Sequence, residues 1–98
     1  MRDDEYEWDD EKAAANLAWH GVSFATARRA FDDRFAVELD DRREDYAEDR
    51  YVLLGMVQSR LLAVSYTLRG ERIRIISARP AEPFERRLYH EKNRKRQG

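Results

Sequence analysis

Near the start of the chain, the spacing of apolar and polar residues changes from one segment to the next. Each spacing predicts a strand or a helix. Tyr6 and Trp8 alternate with acidic residues, which is typical of a short strand whose two rings face inward. Residues 11–19 then follow a helical spacing, with a capping Asp (Asp9 or Asp10) before them and Gly21 as the left-handed stop. A second short helix, capped by the serine before it, is predicted over residues 24–31.

The first predicted helix has two different faces. Its small apolar side chains form a narrow stripe that we expect to pack against a sheet: Ala14, Leu17 and Ala18. A second face carries Lys12, Asn16 and His20, so that a cation, an amide and an imidazole follow one another along the helix. Side chains in such a row are suited to contacting a ribose-phosphate. In the alternative interpretation, His20 only hydrogen-bonds a carbonyl group at the helix end.

The second half of the chain predicts strands and then a helix. Apolar runs of strand length, separated by short turns or a polar loop, occur at residues 35–39, 51–57, 61–68 and 72–78. Pro83 begins a helix that is predicted to reach about residue 94, and the basic tail of about residues 92–98 is expected to fray. The pattern predicts a single α+β domain over residues 1–98. Its expected order is an N-terminal strand and two helices, an antiparallel β-sheet of about four strands, and a C-terminal helix.

Composition narrows the chemistry that is open to this chain. It has 98 residues, 40% of them charged, and no cysteine, which excludes disulfides, thiolate zinc sites and cysteine nucleophiles. Two histidines are too few for a metal cage made of histidine alone. No glycine-rich loop that would cradle the phosphates of a nucleotide is present. We therefore expect no cofactor and no metal. Without a long apolar stretch or a leader, we also expect a cytoplasmic location and no membrane contact.

The formal charges are segregated along the chain. The net charge is -1, yet residues 1–50 hold 16 acidic and 8 basic side chains, while residues 51–98 hold 4 acidic and 11 basic ones. A basic half on a nearly neutral protein indicates a partner that carries phosphate, such as a nucleic acid. The alternative is that the two halves pair with each other and cancel.

Several arginines of the second half stand on or beside predicted strands. Arg72 and Arg74 alternate with isoleucines, so that the apolar side chains face the core and the guanidinium groups face outward. Arg60 begins the preceding strand, and Arg79 follows the end of this one. Guanidinium groups on a rigid strand hold phosphates in a fixed geometry. A solvated face paired with carboxylates is the alternative.

The last predicted helix carries Glu85 and Tyr89 one turn apart. Either side chain is suited to orienting an arginine, and a tyrosine ring can stack on a base. The alternative is that Tyr89 only packs and that Glu85 is a solvent-exposed charge. An acidic cluster over residues 40–49 is the remaining candidate for a divalent metal, but its spacing matches no known metal-binding loop.

Two signatures in this chain are similar to those of one known family. The first comprises Glu7-Trp8-Asp9, Glu11-Lys12-Ala-Ala-Ala-Asn16-Leu17, His20-Gly21-Val22-Ser23-Phe24 and Ala30-Phe31-Asp32-Asp33. The second comprises Arg72-Ile-Arg-Ile-Ile-Ser-Ala-Arg79, with Glu85, Arg87 and Tyr89 behind it. Together they extend from residue 7 to about residue 90, and they resemble the BrnT toxin family. Trp19, Leu68 and His90 depart from the family pattern.

The resemblance implies a fold, an activity and a partner. It implies a RelE-like fold, in which helices pack on an antiparallel sheet, and a ribonuclease toxin of a type II toxin–antitoxin module. Such toxins arrest growth by cleaving RNA and blocking translation, and RelE-like enzymes cut RNA without metal through the ribose 2′-hydroxyl. The implied partner is a BrnA-like antitoxin, a DNA-binding dimer that neutralises the toxin. Operator DNA would then be bound only through the antitoxin.

With the resemblance, the candidate residues acquire roles. Attack by the 2′-hydroxyl needs a proton acceptor, a proton donor to the leaving 5′-oxygen, and cations for the charged phosphorane. The side chains expected to act in catalysis are His20, Lys12, Arg79, Glu85 and Tyr89. The side chains expected to bind phosphates of the RNA are Arg60, Arg72, Arg74 and Asn16. Two other hypotheses remain: a basic module that binds nucleic acid or a partner without catalysis, and a degenerate toxin that acts only as a corepressor with its antitoxin.

Overall fold

The computed structural model of the protein describes residues 1–41 and 48–97, with the side chains of the last helix as far as Arg94. The elements, in chain order, are β1 Tyr6–Glu7, α1 Asp10–His20, α2 Phe24–Ala27, a 3-10 helix Arg28–Asp32, β2 Val37–Asp40, β3 Tyr51–Val57, β4 Arg60–Arg69, β5 Arg72–Pro80 and α3 Pro83–Gln97. The predicted α+β class is confirmed. No helix in these described ranges is long and apolar enough to cross a membrane.

The sheet differs from the antiparallel sheet of about four strands that the sequence predicts. Its order among the described residues is β1-β5-β4-β3-β2, so it has five strands. β1 pairs parallel with β5, which makes the sheet mixed, and this places Tyr6 opposite Ile73 and Glu7 opposite Arg74. The partner of so short a strand cannot be predicted from its own residues, because pairing depends on a strand near the other end of the chain.

Apolar side chains are buried on both faces of the sheet. Face 1 packs against α1, α2 and the 3-10 helix, in a core that includes Phe24 and Leu62. Face 2 packs against α3, in a core that includes Leu54, Ala63 and Tyr89. Successive side chains of a strand point to opposite faces, so these two cores show which way each neighbouring side chain points.

Helix α1 begins and ends as the sequence predicts. Oδ1 of Asp9 accepts hydrogen bonds from the backbone amides of Glu11 and Lys12, at 2.8 and 3.1 Å. Gly21 ends the helix in the left-handed conformation, with φ 70°. Glycine adopts this conformation without strain because it has no Cβ atom.

The predicted packing face of α1 is wrong. Leu17 is 51% exposed, and Ala14 and Ala18 are also exposed, so the apolar stripe faces solvent. The helix instead turns Ala13 and Asn16 toward the rest of the protein. Alanines occur around much of this helix, so hydrophobicity distinguishes its faces only weakly. The hydrogen bonds of Asn16, described below, decide which face is buried.

The 3-10 helix lies directly on β3. A Cβ atom at Gly55 would stand 2.5 Å from the carbonyl oxygen of Ala30, so a larger residue would push the two elements apart. Phe31 extends this packing with edge-on ring contacts to Tyr6 and Tyr66, whose centroids lie 5.7 and 5.0 Å away. The 3-10 helix therefore packs closely against β3 on face 1 of the sheet.

Helix α3 is longer than the sequence predicts. It begins at Pro83 as expected and continues to Gln97, beyond the predicted end at about residue 94. Nδ2 of Asn93 donates to the backbone oxygens of Phe35 and Tyr89, at 3.0 and 2.8 Å. These hydrogen bonds hold the helix against the segment that leads into β2.

Candidate functional site

A β-bulge brings two arginines of β5 to the same face of the sheet. The pairing of β4 with β5 shifts register between Ser65 and Tyr66, so Ile76 is an extra residue in β5. An odd number of positions separates Arg74 from Arg79, and in a regular strand the two would point to opposite faces. Because the bulge adds one residue between them, Arg74 and Arg79 point to the same face.

The core on face 1 shows the same orientation. Ile75 and Ala78 both pack there. The residues on either side of this pair, Arg74 and Arg79, therefore point to face 2. Helix α3 covers the β2–β3 side of face 2, whereas the β5 side carries half-buried polar groups. We call this surface the arginine strip; it consists of Arg74, Ser77 and Arg79 of β5 and Ser65 of β4.

A carboxylate of β1 holds Arg74. Its Nη1 donates to Oε2 of Glu7 at 2.6 Å, and the two side chains are 28% and 15% exposed. Glu7, the partner of Arg74, stands two residues before Asp9, the N-cap of α1. The backbone amides of Lys12 and Glu11, and then the charges of Lys12 and Arg74, lower the pKa of Asp9. The guanidinium group of Arg74 is thus oriented where β1, β5 and the start of α1 meet.

Glu85 of α3 holds Arg79. Nη1 and Nη2 of Arg79 donate to Oε1 and Oε2 of Glu85 at 2.7 and 3.1 Å. Oε1 also accepts a hydrogen bond from the backbone amide of Glu82 at 2.9 Å, as in a capping box. Glu85 is 4% exposed, so it is not a solvent-exposed charge. The same carboxylate fixes both the start of α3 and the direction of Arg79.

The Arg79–Glu85 pair borders a pocket of about 290 Å³ between α3 and the strands β2 and β3. The other residues that line it are acidic or apolar: Leu39, Asp40, Asp41, Val52, Glu82 and Phe84. Arg79 therefore lies where the arginine strip meets an acidic pocket.

Arg72 and Arg60 lie away from each other, at the two ends of the β4–β5 pair. Arg72 begins β5, and its Nε donates to the backbone oxygen of Asp3 at 2.7 Å. Arg60 is exposed at the start of β4, two residues before Leu62, which pairs with Pro80 at the end of β5. At ~3.3 Å per strand residue, roughly 25 Å separates Arg72 from this far end. The two arginines therefore cannot hold the same phosphate.

Asn16, which was expected to contact RNA, lies inside the fold and is 7% exposed. Its Nδ2 donates to the carbonyl oxygens of Ala78 and Val22, at 2.8 and 2.9 Å, and its Oδ1 accepts from the amide of Ala78 at 3.1 Å. Both amide hydrogens are used in this way, which leaves none for a phosphate. The side chain pairs with the edge of β5 much as a neighbouring strand would.

Helix α1 runs along the edge of β5, beyond the point where β1 ends. Its N-cap Asp9 follows Glu7, which pairs with Arg74, by two residues, and Asn16, farther along the helix, reaches Ala78. The helix and the strand therefore run in the same direction. One further turn brings His20 toward the end of β5, which is the end near Arg79.

Lys12 and His20 lie on opposite flanks of α1. At about 100° per residue, His20 is on the same side of Asn16 as Ala13, whereas Lys12 is on the other side. Ala13 packs against the core of face 1, so Lys12 is turned toward face 2 and the arginine strip. Lys12 is exposed, and His20 is half-buried beside Trp19, with 6.2 Å between the ring centroids.

Tyr89 anchors α3 and is 6% exposed. Its hydroxyl donates to Oδ2 of Asp33 at 2.7 Å, and Asp33 also accepts from the amides of Met56 and Phe35. Burial and this hydrogen bond raise the pKa of Tyr89 to about 12. Burial also raises the pKa of Asp33, but the three hydrogen bonds outweigh it and leave the pKa lowered. A protonated hydroxyl that faces Asp33 argues against the catalytic role expected for Tyr89.

The predicted site residues therefore divide into two groups. Those around the arginine strip are Lys12, Arg74, Arg79 and Glu85. His20 stands apart from them, on the flank of α1 that Ala13 turns toward face 1. Those placed elsewhere are Arg60, Arg72, Asn16 and Tyr89. Sequence reasoning missed Glu7 and Asp33 as partners. The alternation of Glu7 with the inward-facing Tyr6 was a usable signal, whereas no local pattern shows that Asp33 meets Tyr89.

Pairing between the two halves of the chain cancels some of the charge asymmetry. Glu7 pairs with Arg74 at 2.6 Å and Glu48 with Arg69 at 3.1 Å, each joining the acidic half to the basic half. Within residues 1–41 and 48–97, no group of three or more acidic or histidine side chains is arranged to hold a metal. Residues 42–47 of the acidic cluster considered for a metal lie outside the described residues.

The fold and the site define a small α+β protein with an arginine-lined strip on one face of its sheet. A family model described as ribonuclease toxin, BrnT, of type II toxin-antitoxin system matches residues 8–85. The match covers most of the chain, which therefore belongs to the BrnT family of ribonuclease toxins. Membership implies an antitoxin partner. The comparison with curated proteins finds no matching sequence.

Proposed function

We propose that this chain is an endoribonuclease that cleaves RNA through a ribose 2′-hydroxyl, without a metal, and so inhibits translation in the cytoplasm. We also propose that its fold is RelE-like. The proposed activity is supported by the bulge of β5. This bulge turns Arg74 and Arg79 to one face of the sheet, beside the flank of α1 that bears Lys12. Cations held on a rigid strand stabilise a phosphorane, because they need no reorganisation as the charge develops.

The reaction requires two proton transfers. A base takes the proton of the 2′-hydroxyl, and the oxygen forms a bond to the adjacent phosphorus. The bond from phosphorus to the 5′-oxygen breaks as an acid protonates that oxygen, which leaves a 2′,3′-cyclic phosphate and a 5′-hydroxyl. His20 is our candidate for one of these transfers, because an imidazole ring can either accept or donate a proton in general acid–base catalysis.

The remaining candidates supply charge or position. We assign Lys12, Arg74 and Arg79 to the phosphate at the cleaved step. Their positioning residues are Glu7 for Arg74 and Glu85 for Arg79, since each carboxylate contacts a guanidinium group rather than the open surface. We assign Arg60 and Arg72 to phosphates farther along the RNA, because they stand at opposite ends of the β4–β5 pair.

The proposed partner is a BrnA-like antitoxin, a DNA-binding dimer that covers the arginine strip with an acidic or amphipathic segment. The charge of the C-terminal half supports this proposal, because residues 51–98 hold 11 basic and 4 acidic side chains. Occupation of the strip would exclude RNA. In this arrangement the toxin meets operator DNA only through the antitoxin.

The activity is tested by incubating the purified protein with single-stranded RNA in excess chelator. We expect cleavage that leaves 2′,3′-cyclic or 3′-phosphate ends, and no cleavage of the same RNA when every 2′-hydroxyl carries a methyl group. In a bacterium, induced expression should stop incorporation of radiolabelled methionine before DNA synthesis is affected. Cleavage that appears only with added magnesium would contradict the proposed mechanism.

The ion pairs favour a second candidate function. Arg74 and Arg79 each face a carboxylate, which reduces the positive potential of the strip. A module that binds nucleic acid or a partner without cleaving RNA, or a degenerate toxin that acts as a corepressor, is compatible with such pairing. In that case the RNA would stay intact in the assay above, while the protein would still bind the antitoxin and tighten its binding to operator DNA.

A further inference from the structure

Trp19 is the most exposed large apolar side chain among the described residues, at 83%. The second tryptophan, Trp8, behaves in the usual way: it packs against the core of face 1, with its ring edge-on to Phe24 at 5.8 Å. Indole rings are normally well buried, because they remove a large apolar surface from water. An indole left in solvent on a regular helix therefore suggests a ligand that covers it.

The neighbours of Trp19 are those of a nucleic-acid contact. Its ring lies 6.2 Å from that of His20. Lys12 is exposed two turns earlier on the same flank of α1, about 10 Å away along the helix axis. Ala15, one turn before Trp19, carries only a methyl group. A flat ligand can therefore reach the indole while an anion attached to it contacts Lys12.

We propose that Trp19 is a stacking platform for one unpaired base of an RNA strand, whose adjoining phosphate is held by Lys12. The proposal rests on the proposed function and adds to it a site of base contact beside His20. Every base has a π-face, so stacking on Trp19 tolerates any sequence and holds the strand without reading it. The flank carrying Trp19 and Lys12 is turned toward the arginine strip, so one strand can contact both.

The charge of this flank distinguishes RNA from a protein partner. An apolar contact between proteins is generally depleted of lysine at its centre. Here, Lys12 is an exposed cation on the same flank as Trp19, and the imidazole of His20 lies next to the indole at the border with the other flank. A cation beside an aromatic platform is the combination with which proteins bind single-stranded nucleic acids.

The test uses a 2′-O-methyl RNA oligonucleotide, which cannot be cleaved through the 2′-hydroxyl, and an oligonucleotide of the same length and charge that lacks bases. Binding is followed by tryptophan fluorescence for the parent and by fluorescence anisotropy of labelled strands for all variants. Trp19→Phe keeps an aromatic face, and Trp19→Leu keeps an apolar side chain without one. Leu17→Ala is the matched control, because Leu17 is exposed on the opposite flank of α1.

We expect the strand with bases to quench the fluorescence of the parent, and Trp19→Leu to bind this strand about 5- to 150-fold more weakly. Trp19→Phe should lose much less affinity, Leu17→Ala should lose none, and every variant should bind the strand without bases as the parent does. Equal affinity of Trp19→Leu and the parent for the strand with bases overturns the stacking proposal. An equal loss on both strands overturns it as well.

The proposed function and the stacking proposal fail in different ways. If Trp19→Leu binds and cleaves RNA at the parental level while its affinity for the antitoxin falls, the indole is a protein contact and the nuclease proposal stands. If the parent binds neither oligonucleotide, both proposals are overturned together. Circular dichroism confirms that each variant is folded before binding is compared.

Discussion

The side chain of Asn16 and the backbone of Ala78 exchange two hydrogen bonds, at 2.8 and 3.1 Å. An amide side chain has the same donor and acceptor as a peptide group, so it can satisfy the edge of a strand. β1 pairs with β5 only at Ile73 and Arg74, and Asn16 continues the pairing farther along that edge. The contact fixes α1 beside the arginine strip, and with it the positions of Lys12 and His20.

Replacing Asn16 with alanine should destabilise the fold. The change leaves the amide of Ala78 and two carbonyl oxygens without this partner, and a cost of about 2–4 kcal/mol is expected in the free energy of unfolding in urea. Leu17→Ala is the control on the same helix and should cost less than about 0.5 kcal/mol, because Leu17 is 51% exposed. Equal costs for the two variants would show that the assigned packing face of α1 is incorrect.

Replacing His20 with alanine should affect catalysis and leave RNA binding nearly unchanged. Loss of a proton-transfer group reduces turnover by ~10²–10⁴-fold. Single-turnover cleavage measures the rate, and circular dichroism and antitoxin binding confirm the fold. The matched control is His90→Ala, because His90 is the second histidine and is exposed on α3. Cleavage at the parental rate by folded His20→Ala would exclude His20 as the catalyst and make Lys12 the next residue to test.

Replacing Arg74 or Arg79 with alanine should weaken RNA binding and reduce its dependence on salt. Each lost phosphate contact should lower the slope of log affinity against log salt concentration by ~0.7 for a single strand. Arg29→Ala is the control, since Arg29 is exposed on the 3-10 helix that packs on the other face of the sheet. An unchanged slope in both folded variants would mean that these arginines only form ion pairs with their carboxylate partners and do not bind RNA phosphates.

Stability should fall at alkaline pH, and Tyr89→Phe should reduce that fall. The folded pKa of Tyr89 is about 12, whereas an unfolded tyrosine titrates near ~10. The stabilisation is complete below the unfolded pKa and is lost as the pH rises through the folded pKa, because only the unfolded state releases its proton between the two. Unfolding in urea from pH 9 to 12 measures the slope. The variant keeps part of it, because burial also raises the pKa of Tyr66 and Tyr6.

The same variant tests the role of Tyr89 in the reaction. Loss of its hydrogen bond to Asp33 should cost ~1.5–3 kcal/mol at neutral pH, as for a bond to a charged acceptor. Folded Tyr89→Phe should cleave RNA at the parental rate, because the hydroxyl faces Asp33. A large loss of turnover with unchanged stability would restore the catalytic role that the family resemblance suggested.

Elements whose signals are local could be predicted from the residues alone. The caps of α1 were predicted, with Asp9 or Asp10 at its start and Gly21 at its end, because a side chain that accepts from nearby amides and a residue that tolerates positive φ act within one turn. The strands β3 and β4 were also predicted, since their apolar runs are bounded by turns. The family was recognisable because its signatures are residue types at fixed spacing, and the matching family model covers residues 8–85.

How these elements meet depends on contacts between distant parts of the chain. The parallel pairing of β1 with β5, the bulge at Ile76 and the pairing of Glu85 with Arg79 each join residues whose relationship no local period encodes. The buried face of α1 was predicted wrongly because small residues surround that helix and apolar area hardly distinguishes its sides. The distant backbone of Ala78 supplied the deciding hydrogen bonds to Asn16, and these became available only once β5 lay beside the helix.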